Sequence, residues 1–287
     1  MSHVNEPFSQ LDVLNNFMFN SLTTDPNVSE KFCRAMLKGL LGKQLGKIIV
    51  TSEKIIVPDS PEKRGVRLDV RVDDFDEGEV ITNIYDIEPH RDFEKNFPKK
   101  NRFQQAQLDK NNMESGNNNF ENMPNLYIIT ITNYDPFGYD YMLYTIENGC
   151  IEVPELVYND GVKIYYFNTE GTKGGTESLK NFLTYLENSE PANEVDDATK
   201  EMAKYVEYIK DDKRREGRYM TVGDWADHIC AEAREEGLAQ GLEQGIKQRN
   251  ITLVLNMSAD GLSVEKIMKY TGLDEEDVKQ IIASNNN

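Results

Sequence analysis

The sequence predicts an α/β fold: a mixed β-sheet flanked by helices, followed by an all-helical carboxyl-terminal stretch. Three observations lead there. Val66, Leu68, Val70 and Val72 are apolar while Arg67, Asp69 and Arg71 face the other way, the period-two pattern of a half-buried strand. Helical and β-rich segments alternate in the order helix, strands, helix, strand, strand, helix. Beyond the polar, acidic, proline-containing SEPANEVDDA the chain reads as helical almost to its end. That stretch places a domain boundary near 190, giving residues 1–190 and 191–287.

Taken in order, LDVLNNFMFNSL and SEKFCRAMLKGLLGKQL read as helices. The second opens at Ser29 as N-cap and carries Phe32, Met36, Leu37 and Leu40 as a buried stripe. KIIVTSEKIIV is extended, and PDSPEKRG turns the chain. After the Arg67–Val72 strand, DDFDEGE forms a loop and Val80–Glu88 returns, with Asp86, Glu88 and His90 on one side. Pro89 closes that strand, because it cannot donate to a ladder. KKNRFQQAQLDKNNMES is a helix with a basic start, NLYIITITNYD a strand, YMLYTI and KIYYFNT further strands, and TESLKNFLTYLEN a helix.

Composition narrows the function classes. Hydrophobic content of 38% supports a packed core, and the formal net charge is −18. A protein that binds nucleic acid through its overall field carries the opposite sign. Contact with DNA therefore requires a local patch, and Lys99, Lys100 and Arg102 form the nearest one. Three scattered cysteines argue against a disulfide framework and for a reducing cytoplasm. No apolar run is long enough to span a membrane, and the amino terminus shows no signal pattern, so a soluble cytoplasmic protein is expected.

The hairpin carries the chemistry. If its register is right, Asp69 and Glu88 share a face, whereas a one-residue slip separates them. Paired carboxylates on adjacent strands suit Mg²⁺ or Mn²⁺, which take oxygen ligands and keep several waters. With 50 acidic residues in the chain, several on one strand also arise by chance. Spacing alone leaves a metal site and a plain polar sheet face both open. Asp86 is either a supplementary carboxylate or a solvated neighbour of Glu88, and the second reading is favoured.

GVRLDV, a short acidic turn and YDIEPHR together resemble the core of the PD-(D/E)XK nuclease superfamily. More narrowly, they are similar to its transposase-like branch, which includes the recombination-promoting nucleases. NNFMFNSL, NRFQQAQLD, LYIITITNYDPFG, EEGLAQGLEQGIKQ and MSADGLSVEKIMKYTGLDEEDVKQII extend the likeness over most of the chain. The resemblance implies a restriction-endonuclease-like sheet and an Mg²⁺- or Mn²⁺-dependent DNA endonuclease. It makes Asp69, Glu88 and the Pro89 carbonyl the metal ligands, and His90 the assisting group. Arg102 and Gln105, one turn apart on the next helix, become candidates for contact with a phosphate. Two positions depart from the pattern. His90 stands where the superfamily has lysine and this branch often glutamine, and Asn16 where the branch often has aspartate. These departures and the acidic charge frame an alternative: a nuclease fold without catalysis, acting as a binding or self-assembling scaffold.

The tail suggests assembly. Gly237, Gly241 and Gly245 recur every four residues within a helical stretch, each costing about 0.8–1 kcal/mol relative to alanine. Close approach of another helix compensates such a cost, so a homo-oligomer is expected through these helices. VEKIMKYTGLDEEDVKQII has a helix-turn-helix outline, but its second helix opens with Asp274, Glu275, Glu276 and Asp277, the wrong sign for phosphate. It reads as a packing or partner-binding module. Trp225 is expected as a packing anchor, and His228 and Cys230 lack metal-ligand company.

Overall fold

The computed structural model describes residues 6–56, 66–112 and 120–284; at 54–56, 66–67, 222–240 and 242–243 it describes the backbone alone. PDSPEKRG, the surroundings of Gly237, and the side chains of Arg67, Trp225, His228 and Cys230 therefore lie outside the described residues. The chain divides into two compact units, Asn5–Tyr219 and the residues from Met220 onward.

The first unit is built on one six-stranded mixed sheet. Its strands are β1 (Lys47–Ile56), β2 (Val66–Phe75), β3 (Ile81–His90), β4 (Asn125–Thr132), β5 (Leu143–Ile146) and β6 (Val162–Asn168), in the order β1-β2-β3-β4-β6-β5. β1, β2 and β3 form an antiparallel meander. β4 pairs parallel with β3 and with β6, and β5 closes the edge antiparallel to β6. The parallel step from β3 to β4 needs a crossover, and α3 (Phe97–Asn112) supplies it.

The remaining helices of this unit are α1 (Asn16–Thr24), α2 (Ser29–Leu41), α4 (Glu177–Glu187) and α5 (Asp197–Lys210), before α6 begins at Lys213. The expected stripe of α2, with Phe32, Met36, Leu37 and Leu40, is buried in the main core. There it joins Val70 and Val72 of β2, Tyr85 and Ile87 of β3, and Phe182 and Leu183 of α4. Met202, Val206 and Ile209 of α5 lie in the same core, so SEPANEVDDA is a turn inside this unit, where Asp196 caps α5 by accepting from the Thr199 N–H. On the opposite face of the sheet, Leu108 of α3 packs with Leu68, Ile84, Leu126 and Ile128.

Local chemistry moves several expected boundaries. α1 starts at Asn16 rather than at Leu11, because the Asn15 side chain accepts from Phe17 N and Met18 N and Asp12 accepts from Asn15 N. Ser29 is the first residue of α2 and makes no capping bond; Val28 holds the cap position. β2 runs on through Asp73 and Asp74, which had been assigned to a loop. β3 continues past Pro89, since its parallel ladder with β4 pairs Pro89 with Ile131 and His90 with Thr132. Leu68 leaves the face of Val70 and Val72. The β1–β2 ladder skips the level of Glu53 and Asp69, and Glu53 takes a left-handed φ of 52° there.

In the second unit α6 continues to Ala259, followed by α7 (Val264–Thr271) and α8 (Glu275–Ser284). Val254, Ile267 and Val278, one from each helix, are fully buried together. Gly272 ends α7 at φ 74°, and Asp274 accepts from the Asp277 N–H to start α8, as the sequence suggests. Among the described residues no helix is long and apolar enough to cross a membrane.

Candidate active site

The hairpin register decides whether the acidic residues can act together. Val70 pairs with Ile87 and Arg71 with Asp86, and the charge of Asp69, the residue before Val70, acts on Asp86. Asp69 is half-buried, Asp86 fully buried, and Glu88 only 3% exposed.

α3 forms the lid of this polar patch. Phe97, Asn101, Gln104 and Leu108 are its buried stripe, spaced four, three and four residues apart. Two amides inside an otherwise apolar stripe require polar partners below. Asn101 donates to the Tyr166 hydroxyl at 3.0 Å, and Gln104 Nε2 donates to Glu88 Oε1. Lys100, one turn before Gln104, sends its ammonium 2.8 Å from Glu88 Oε2 and 2.8 Å from His90 Nε2. His90 Nε2 also lies 3.2 Å from Glu88 Oε2. Nε2 cannot serve both neighbours at once: towards Lys100 it accepts, with the imidazole proton on Nδ1, and towards Glu88 Oε2 it donates, the arrangement that lowers the Glu88 carboxyl. The His90 ring is held edge-on against Phe97, with centroids 5.0 Å apart.

The two strand carboxylates are driven apart electrostatically. Burial pushes Glu88 up, but the hydrogen bonds and charges of His90 and Lys100 outweigh it and hold this carboxyl below its ordinary value. Asp86 moves strongly the other way. Burial raises it most, the charges of Glu88 and Asp69 raise it further, and Lys100 and Arg71 offset only part. Both carboxylate oxygens of Asp86 are buried with no hydrogen-bond partner. Arg71, directly across the ladder, gives Nε to Asp73 at 2.7 Å and Nη2 to Asn112 at 2.8 Å, and its Nη1 is buried without a partner.

The expected residues thus fare unequally. Asp69, Glu88, Pro89 and His90 lie together at one end of the hairpin. Asp86 is fully buried rather than solvated, because α3 covers the face on which it sits. Arg102 is exposed, and Gln105 hydrogen-bonds Asp109 on its own helix; neither faces the carboxylates. Lys100, two residues before Arg102, and Gln104, one before Gln105, contact Glu88 instead. The charge of Lys100 is legible in the sequence, and its contact with Glu88 is not. The signal that would have found Gln104 is its place with Asn101 between Phe97 and Leu108.

The donor set is all oxygen and mostly anionic, which matches the preference of Mg²⁺ and Mn²⁺. The orphaned oxygens of Asp86 are the best-fitting donors. Among the described residues no group of three or more His, Cys, Asp and Glu side chains converges to hold a metal, so further ligands would be the Pro89 carbonyl and water. Comparison of the chain with protein-family models, with curated proteins and with solved structures gives no match.

Proposed function

We infer that the chain is a divalent-cation-dependent phosphodiesterase acting on DNA, an endonuclease on a restriction-endonuclease-like sheet of the transposase-like type. The observation that carries this reading is Asp86: two buried carboxylate oxygens with no partner, beside Glu88 and within the field of Asp69. An unpaired buried carboxylate costs a fold several kcal/mol unless a cation or proton meets it. Two of the carboxylates Asp69, Asp86 and Glu88, with the Pro89 carbonyl and water, would hold an Mg²⁺ or Mn²⁺ ion. When bound, that ion supplies Lewis-acid polarisation at a phosphoryl oxygen.

The chain's own groups have separate tasks. Gln104 and Lys100 fix the two oxygens of Glu88, so the carboxylate cannot swing out of the site. Lys100 brings to the site from α3 the positive charge that His90, in the lysine slot of the motif, lacks when neutral. It is placed to offset charge on a phosphate. Neutral His90, with Nε2 as acceptor, can take a proton from a water once Lys100 turns to the phosphate.

The test is nicking of supercoiled plasmid in Mg²⁺, Mn²⁺ or EDTA. Metal-dependent nicking lost in folded Asp69→Ala and Glu88→Ala, and reduced roughly 100-fold or more in Lys100→Met, is the expected result. No cleavage of plasmid or of single-stranded DNA in any metal would refute the hydrolase. A scaffold reading has one observation in its favour: both oxygens of Glu88 are already engaged by side chains of this chain. It predicts no Mn²⁺ binding that depends on Asp69, Asp86 or Glu88.

A further inference from the structure

Residues 91–103, RDFEKNFPKKNRF, run from the end of β3 into α3 and are unlike the rest of the chain. Arg91, Lys95, Lys99, Lys100 and Arg102 against Asp92 and Glu94 leave a local charge of +3 in a protein of −18. Arg91 is paired with Asp12 and Lys100 with Glu88. Lys95, Lys99 and Arg102 are exposed, and none has an ion-pair partner among the described residues. Interleaved with them are two aromatic rings turned to solvent, Phe93 at 71% and Phe103 at 37% exposure.

Both rings lie on the segment that leads from the carboxylate site through α3. A relay of ring contacts leads outward from His90, first to Phe97 at 5.0 Å, then to Tyr134 at 6.5 Å, and last to Phe93 at 5.5 Å. Phe103 follows Lys99 by four residues, so the two share one ridge of α3, next around the helix from the Lys100–Gln104 ridge that grips Glu88. Each exposed aromatic face thus has cationic company, Phe93 linked through the ring relay and Phe103 through the adjoining ridge of α3 to a site suited to phosphodiester chemistry.

From this strip we propose that the substrate is nucleic acid with unpaired bases, whose bases stack on Phe93 and Phe103 while Lys95 and Lys99 track its phosphates. Duplex hides its base faces within its own stack and offers these rings nothing. A single strand, flap or unpaired end offers both a polyanion and free π-faces, the two features the strip matches. The proposal rests on the phosphodiesterase reading for its chemistry, but its binding test needs no cleavage.

The experiment is fluorescence anisotropy of the full-length protein with labelled (dT)20, (rU)20 and a 20-base-pair duplex, in Ca²⁺ and again in EDTA. Expected are tighter binding of the single strands than of the duplex and roughly tenfold weaker single-strand binding in each of Phe93→Ala and Phe103→Ala. Phe103→Tyr keeps the π-face and should bind like the parent protein, which separates stacking from a loss of fold. The (dT)20 and (rU)20 arms report whether DNA or RNA is the better ligand; preference for either supports the proposal. Duplex binding as tight as single-strand binding, indifference to both alanine variants, or no binding of any oligonucleotide would overturn it. Single-strand binding that depends on the rings, in a protein that cleaves neither plasmid nor (dT)20 in Mg²⁺ or Mn²⁺, would sink the hydrolase and leave the stacking strip standing.

Discussion

At the residue scale Asp86 makes the sharpest prediction. Its folded-state carboxyl is raised above the ordinary value near 4, chiefly by burial. Below about pH 4 it is protonated in folded and unfolded chains alike and costs nothing. As pH rises further the unfolded chain releases the proton and the folded chain keeps it, so stability is lost until the folded group also ionises. In EDTA at pH 7, Asp86→Asn should therefore be more stable than the parent by about 1–3 kcal/mol in urea unfolding. The gap should close as pH falls towards 4. Mg²⁺ should stabilise the parent more than the variant. A variant less stable than the parent at pH 7 in EDTA would mean that the carboxylate is satisfied where it stands.

At the element scale, packing on both faces of the sheet is what the sequence conceals. The alternation of β2 and the stripe of α2 are legible because each follows from one period. The departure of Leu68 is not, since it depends on an irregular Glu53 one strand away. The site was half legible. Asp69 and Glu88 are visible as motif residues, but Lys100 and Gln104 are selected by the rotation of α3 over the sheet, which no spacing within the hairpin reveals. A close contact between helices was equally hidden. A Cβ on Gly39 of α2 would land inside the van der Waals envelope of the Phe182 ring on α4, and that ring is fully buried. Alanine normally gains a helix interior up to about 1 kcal/mol over glycine. At Gly39 overpacking, typically about 1–3 kcal/mol, should win. Gly39→Ala should lower the thermal midpoint. At Gly241, where among the described residues nothing lies within 4 Å of such a Cβ, alanine should raise it. A stabilised Gly39→Ala would show that α2 and α4 can part.

At the scale of the whole molecule, the conflict is between a net charge of −18 and a polyanionic substrate. Field-driven binding is excluded by sign, so affinity must come from a few contacts whose number salt can count. Each phosphate neutralised on a single strand contributes a slope of roughly −0.7 to log K against log salt. With Lys95, Lys99 and Arg102 as the unpaired cations of the strip, the slope for (dT)20 should be about −2. Lys99→Ala should flatten it by about 0.7. Stacking is nearly indifferent to salt, so Phe103→Ala should lower the affinity at every salt concentration without changing the slope. A slope steeper than about −5 would require basic surface beyond this strip. It would move the nucleic-acid contact away from the carboxylates, and with it the reason for placing exposed rings beside them.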